Sequence, residues 1–252
     1  MTHVLKWIIC QLLCVWISIG CTPKADQVQN VEDQAKSERV QRQVNAHETM
    51  IFQKLNRPKW LFIGDSLTAG YGIDADSSYV AILQRAIEAE AWVEPVSGQM
   101  PKLINAGVSG DTSAGALRRV SWLLADQPTR VFLCIGANDG LRGQPVAMLK
   151  KNLNQLISIM KDMSVEVHLI GMQVPPNYGA EYSTEFTQAY QQVAEEQQVS
   201  LYPFLLANVA GVARLNQSDG IHPNREGHQL VAQQFHTYLK SLNLLTHLLN
   251  EN

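Results

Sequence analysis

Between residues 59 and 242, short apolar runs alternate with stretches in which apolar residues recur every three or four positions. The runs are Trp60–Ile63, Leu103–Asn105, Val131–Ile135, Val165–Ile170 and Val199–Tyr202. Each is too short for a helix and is bounded by turn-forming residues, so each reads as a buried strand. The intervening stretches have helical periodicity. Tyr79, Ile82, Leu83, Ala86 and Ile87 share one face, and so do Val146, Leu149, Leu153, Leu156, Ile157 and Met160. Phe186, Ala189, Tyr190, Val193 and Ala194 form a third face, and Leu230, Val231, Phe235, Tyr238, Leu239 and Leu242 a fourth. Strands alternating with helices predict an α/β domain, a three-layer α/β/α sandwich around a central, mainly parallel five-stranded sheet. No internal repeat and no second catalytic domain is visible.

The first sixty residues follow a different pattern. Lys6 precedes an apolar run from Trp7 to Gly20, which is short for a membrane span and suited to the core of a secretory signal. The run ends Ser18-Ile19-Gly20-Cys21, which resembles the lipobox of bacterial lipoproteins, although leucine is usual where Ser18 stands. The expected organisation is a lipoprotein-type signal over residues 1–20, a partly helical tether over 21–58 and the folded α/β domain over 59–252. Cys21 is the expected lipidation site. An ordinary cleaved signal and a retained anchor are the competing readings. Thr22 follows the cysteine, which in enterobacteria-like sorting implies the outer membrane.

Composition narrows the function classes. The 252 residues are 46% hydrophobic and carry a net charge of -3 without a dense basic run, so no nucleic-acid partner is expected. Of four cysteines, Cys10 and Cys14 lie in the apolar run and Cys21 is the lipidation candidate. Cys134 alone remains for the folded domain, and reads as a small core residue. No spacing of cysteine and histidine suggests a metal, and no cofactor is expected.

Polar residues gather where predicted strands end. Gly64-Asp65-Ser66-Leu67-Thr68-Ala69-Gly70-Tyr71-Gly72 follows the first strand, and Asn105 to Thr112 follows the second. Gly136-Ala137-Asn138-Asp139-Gly140 follows the third. In a parallel sheet all three would open onto the carboxyl edge, where such sheets bind ligands. Ser66 is the candidate nucleophile, and capping of a following helix is the competing role for it. Asp219-Gly220-Ile221-His222-Pro223 precedes the last helix. A carboxylate three residues from an imidazole can hold its Nδ1 proton and leave Nε2 free to serve a hydroxyl. An isolated Asp-x-x-His is also an ordinary loop contact. His168, His228 and His236 lack such company and read as core or helix-surface residues.

Gly64-Asp65-Ser66-Leu67, Gly110, Gly136-x-Asn138-Asp139 and Asp219-x-x-His222-Pro223 match, in order, the blocks of the GDSL, or SGNH, hydrolases. The resemblance spans about Trp60 to Leu242. It is similar within that superfamily to the bacterial arylesterase, thioesterase I and lysophospholipase L1 group. The resemblance implies a flavodoxin-like sheet, with Ser66 as nucleophile, His222 as base and Asp219 as orienter. It also implies Ser66, Gly110 and Asn138 as oxyanion-hole donors. Gly107-Val108-Ser109-Gly110-Asp111 fails the Gly-x-Ser-x-Gly elbow at its last position, which argues against the α/β-hydrolase fold.

The expected activity is hydrolysis of carboxylic esters through an acyl-enzyme, on short- to medium-chain acyl or aryl esters and lysophospholipids. Acyl thioesters, acetylated carbohydrates or acyl transfer on the same triad are alternatives, and an inactive acyl-binding lipoprotein is a different class. Partners are then a small-molecule ester or lipid, and a membrane met through the lipid anchor. The expected location is the bacterial cell envelope with the hydrolase domain in the periplasm, or a secreted or soluble periplasmic form. Met172 to Tyr182 reads equally well as a wall of the acyl pocket and as a surface connection.

Overall fold

The first strand, β1 (Lys59–Gly64), is buried from Trp60 to Ile63 and lies at the interior of the sheet. In the computed structural model, which describes residues 36–45 and 57–247, it pairs in parallel with β3 (Lys102–Gly107) on one edge and β4 (Arg130–Cys134) on the other. Strands β5 (Glu166–Ile170) and β6 (Ser200–Tyr202) extend the sheet in parallel beyond β4. The order is β3-β1-β4-β5-β6. A strand covered on both faces cannot alternate apolar and polar residues, which is why Trp-Leu-Phe-Ile reads as an unbroken apolar run.

Residues 36–45 form a helix, α1, whose side chains are all exposed. Most of residues 1–58, including Cys21, lies outside the described residues.

Helices cover the sheet as a parallel topology requires. One face holds α3 (Tyr79–Ala89) against α8 (Arg225–Ser241), and the other holds α6 (Val146–Asp162) between α4 (Ser113–Leu124) and α7 (Ala180–Gln197). The buried residues of α7 are those of its expected apolar face, while the expected faces of α3, α6 and α8 are joined in burial by Val80, Asn152, Gly227, His228, Ala232 and His236. In the centre, Phe62 stacks on Phe132 at 4.6 Å, and Phe235 from α8 packs edge-on against Phe132. Cys134 lies in this core as expected. Burial pushes its thiol up to about 12, against the opposing effect of the Tyr79 hydroxyl that donates to it, so it is a neutral packing residue.

Three features were not expected. Helix α4 was missed; its buried side is made of Ser113, Gly115, Ala116, Val120 and Leu124, while Trp122 is 77% exposed. Small residues facing the core and a large one facing out obscure the apolar period. Strands β2 (Trp92–Val93) and β7 (Thr246–His247) form a separate antiparallel pair of two residues each, too short to leave a pattern. The third is that the helix Ser66 was weighed as capping starts at Ser66 itself and lasts one turn, α2 (Ser66–Ala69), set directly on the end of β1.

Helix α2 fits only because glycine borders it. A Cβ at Gly107 would come within 2.2 Å of the Ala69 nitrogen, and one at Gly64 within 2.5 Å of the Thr68 Cβ. Buried polar groups lock the turn from below. The Thr68 and Tyr79 hydroxyls lie 3.0 Å apart, Tyr79 donates to the Cys134 sulfur, and the Asn105 amide donates to the Thr68 carbonyl at 2.7 Å. The Tyr79 amide donates to Nδ1 of His228, which must therefore carry its proton on Nε2. Burial and the neighbouring His222 lower His228 to about 4.

Asp65 caps α2, accepting the Leu67 amide at 3.0 Å on Oδ1. Its carboxyl is 1% exposed, and Oδ2 has no protein partner. Burial is the main cause that raises its pKa from 3.8 to about 7; the Leu67 bond opposes this, and Asp111 and Asp139 add to it. The folded state therefore binds this proton more tightly than the unfolded chain does. The stabilising contribution is complete below the unfolded value near 3.8 and is lost as pH rises through about 7. Asp65→Asn keeps an acceptor for the Leu67 amide and removes the titration. Urea unfolding across about pH 4 to 8 should show wild type losing stability relative to the variant as pH rises; parallel curves would show that Asp65 ionises normally.

Candidate active site

The carboxyl ends of β1, β3 and β4 meet where the chain, having placed β3 on one side of β1, crosses to place β4 on the other. That reversal leaves a crevice, the usual ligand position of an open α/β sheet. Ser66 enters it from α2. Because Asp65 supplies the N-cap, the competing role of Ser66 as cap is not realised. Ser66 is instead the first helical residue, with its hydroxyl free for another partner.

That partner is His222. Ser66 Oγ lies 2.9 Å from His222 Nε2, and His222 Nδ1 lies 2.7 Å from Asp219 Oδ2. An ionised carboxylate only accepts, so Nδ1 carries the proton and Nε2 presents a lone pair to the serine. The other carboxylate oxygen accepts the backbone amides of Ile221 and His222, each at 3.0 Å. Partial burial works to raise the Asp219 pKa, but the His222 side chain and these two amides outweigh it and hold the carboxyl below its ordinary value.

The segment is shaped for this. Asn216 bridges Pro223, the Gln217 amide donates to the His222 carbonyl at 2.8 Å, and Gly220 takes a positive φ of 76° at the bend. Asn224 then caps α8 by accepting the Gly227 amide.

Two further residues brace the histidine loop. The Tyr71 ring lies 4.8 Å from the His222 ring, centroid to centroid. The Gln217 side-chain amide donates to the carbonyls of Tyr71 and Pro223, joining the α2 loop to the histidine loop. Neither was anticipated, since 146 residues separate Gln217 from Tyr71. The only sequence signal was their position beside the motifs.

Gly110 and Asn138 sit next to each other through Asp111. The turn from Val108 closes when the Asp111 amide donates to the Val108 carbonyl, with Gly110 at a positive φ of 78° that a side chain would disfavour. Asn138, in α5 (Ala137–Leu141), donates from its side-chain amide to the Asp111 carbonyl at 2.9 Å and keeps a second N–H. The next residue, Asp139, accepts the Ser113 amide and hydroxyl, tying α5 to the start of α4. Arg142 donates to the Gly110 carbonyl at 2.9 Å.

A cavity of about 530 Å³ opens beside Ser66, Asn138 and His222. Its walls are mainly apolar: Leu67, Leu141, Met172, Val174, Pro175, Phe204, Leu206 and Ile221. Of the two readings of Met172–Tyr182, the pocket wall holds for Met172 through Pro176. The tyrosines that follow brace this wall, Tyr178 donating to the Leu141 carbonyl and Tyr182 to that of Gln144, both at 2.8 Å. Phe204, Leu206 and Ala210 come from the loop after β6, to which no role was assigned from sequence. Of the remaining histidines, His168, His228 and His236 are buried, His168 against Ser200 and His228 against the Tyr79 amide, which favours the core side of their reading as core or helix-surface residues.

Residues 62–230 match the GDSL-like Lipase/Acylhydrolase family. The chain is 41% identical over 164 residues to a curated relative named esterase TesA, from Pseudomonas aeruginosa, covering 65% of this chain and 78% of that protein. It is 35% identical over 183 residues to thioesterase 1/protease 1/lysophospholipase L1 of Escherichia coli, covering 72% and 83% respectively. Among solved structures, the psychrotrophic esterase EstA from Pseudoalteromonas, inhibited by monoethylphosphonate, aligns with a TM-score of 0.68 at 36% identity. That alignment covers 73% of this chain and 97% of the esterase. With its family blocks converging on one crevice of a sheet shared with these esterases, the chain belongs to the GDSL-like lipase/acylhydrolase family and is a carboxylic ester hydrolase.

Proposed function

We propose that the chain is a serine esterase in which Ser66 attacks the ester carbonyl, His222 carries the proton and Asp219 orients the imidazole. The observation that carries this reading is the continuous hydrogen-bond chain from Ser66 through His222 to Asp219 at the mouth of an apolar cavity. His222 accepts the Ser66 proton as Oγ bonds to the carbonyl carbon, then returns it to the departing alcohol. Asp219 stays ionised, holds the tautomer and stabilises the imidazolium. The backbone amides of Ser66 and Gly110 and the second N–H of Asn138 are the donors for the developing oxyanion. Water then repeats the sequence on the acyl-enzyme.

The cavity favours carboxylic esters with short- to medium-chain acyl or aryl groups, lysophospholipids among them. Its volume far exceeds an acetyl group, and its walls offer few hydrogen bonds to a sugar, which counts against a carbohydrate O-acetylesterase. Acyl thioesters are the second reading, favoured by the printed name of the Escherichia coli relative. The reading extends to the N-terminus: residues 1–20 as signal, Cys21 as lipidated anchor and residues 21–58 as tether, placing the hydrolase domain in the periplasm on a membrane. Among the described residues, no helix is long and apolar enough to cross a membrane.

On p-nitrophenyl esters, Ser66→Ala should lose at least ~10³-fold in kcat, because the three residues act as a unit; turnover near wild type would overturn the mechanism. Across the acyl series, kcat/KM should rise from acetyl to medium chains, each buried methylene contributing up to about 0.8 kcal/mol. A maximum at acetyl would refute the cavity as the acyl site.

Asn138→Ala should lower kcat by ~10²–10³ while KM changes by no more than about twofold, since the donor acts on the transition state. A change confined to KM would remove Asn138 from the oxyanion site. Cys21→Ser should release the protein from the membrane fraction of cells; persistent association would argue against lipidation.

A further inference from the structure

Arg119, from the middle of α4, is not part of the proposed triad or oxyanion hole, yet its guanidinium bonds to the end of β1 before Ser66, the end of β3 before Gly110, and Asp111. Nε pairs with Asp111 Oδ2 at 2.8 Å, one terminal nitrogen donates to the Ala106 carbonyl at 2.7 Å, and the other to the Gly64 carbonyl at 3.0 Å. Gly64 ends β1 two residues before Ser66, and Ala106 is the penultimate residue of β3, four residues before Gly110. Asp111 in turn presents the backbone carbonyl that holds the Asn138 amide. The Arg119 side chain is 19% exposed and its Asp111 partner 10%, so the pair is largely shielded from water.

We propose that Arg119 is a positioning residue: one guanidinium, bonded at once to Gly64, Ala106 and Asp111, sets the spacing of the Ser66 turn, the Gly110 loop and the Asn138 amide. This rests on the assignment of those three groups under the proposed function. A guanidinium suits the task because it is planar, permanently charged and carries its donors in a fixed fork. Three bonds to three separate chain positions define a plane and leave the segments little freedom to slide. Its charge is balanced by Asp111, so the contribution is geometric rather than a field acting on the oxyanion. Lysine would keep the charge and the Asp111 contact, but a single ammonium on a flexible stem cannot reproduce the fork. At least one strand-end carbonyl would lose its donor, and displacements of about 1 Å at such groups cost up to ~10² in rate.

The test is Arg119→Lys in the otherwise native chain, followed by ester hydrolysis, labelling with a fluorophosphonate and binding of a boronic acid that mimics the tetrahedral state. The expected result is a kcat lower by about 10- to 100-fold with KM within about twofold. Labelling should reach the wild-type stoichiometry, more slowly, and boronate affinity should fall in parallel with kcat/KM. If Arg119→Lys does not accumulate folded, the pair Arg119→Gln with Asp111→Asn, which removes both charges together, is read by the same criteria. Wild-type kcat, or a loss that only mirrors a smaller labelled fraction, would overturn the proposal and leave Arg119 a stabilising residue. Ser66→Ala is labelled alongside. If it is modified as fast as wild type, the site assignment itself fails, and the role of Arg119 falls with it.

Discussion

Strand β1 has no face and no edge left for a polar side chain. Helices cover both faces, and β3 and β4 take both sets of backbone hydrogen bonds. Any chemistry the strand contributes must sit at its end, and the end is crowded: Gly64 already lies against Thr68, and Gly107 against Ala69. The chain resolves this by turning at once into a one-turn helix, which brings the Ser66 hydroxyl into the crevice and leaves its amide free of a helical partner. The tight strand-to-helix turn is thus a consequence of burying β1 completely.

That turn carries a polar burden. Asp65 must be buried to cap α2, and burial makes its charge costly, hence the rise to about 7. The surrounding groups do not neutralise it with a cation. The turn it caps is held instead by Thr68, Tyr79, Cys134 and a neutral His228, a network of weakly polar partners. Arg119, which bonds to the carbonyl of the preceding Gly64, is already committed to Asp111 and two carbonyls. Charge is therefore spent on fixing the loops relative to each other, while the turn beneath Ser66 is held by neutral hydrogen bonds and close packing.

How far the sequence could be read follows from the range of each interaction. The five parallel strands were legible because complete burial writes them as apolar runs, and four of the helices because one wide apolar face repeats along each. That Ser66, Gly110 and Asn138 share one edge of the sheet was legible because turn chemistry follows three strands; the roles proposed for them and for Asp219 and His222 came from the family resemblance. Helix α4 was not, since Ala116 and Gly115 face the core while Trp122 faces out. Nor was the cap on α2: both Asp65 and Ser66 are good N-cap residues, and only the fold shows that the aspartate takes the position. Tyr71, Gln217 and Arg119 act through contacts between distant segments, which no local pattern records.

The site also divides its labour by strand. Ser66, Gly110 and Asn138 follow β1, β3 and β4, the three strands at the reversal of the sheet, where hydrogen bonds to Arg119, Asp111 and Asp139 hold each loop to the next. The cavity walls follow β5 and β6, from Met172 to Pro176 and from Phe204 to Ala210, and offer mainly apolar side chains. Apolar contact is non-directional and tolerates changes of size, whereas hydrogen-bond geometry does not. Substitutions after β5 and β6 can therefore reshape the pocket while the proposed reacting groups keep their spacing. Substitutions among the polar loops would disturb that spacing whatever the pocket holds. A fold divided in this way can keep one reaction and vary the acyl group it accepts.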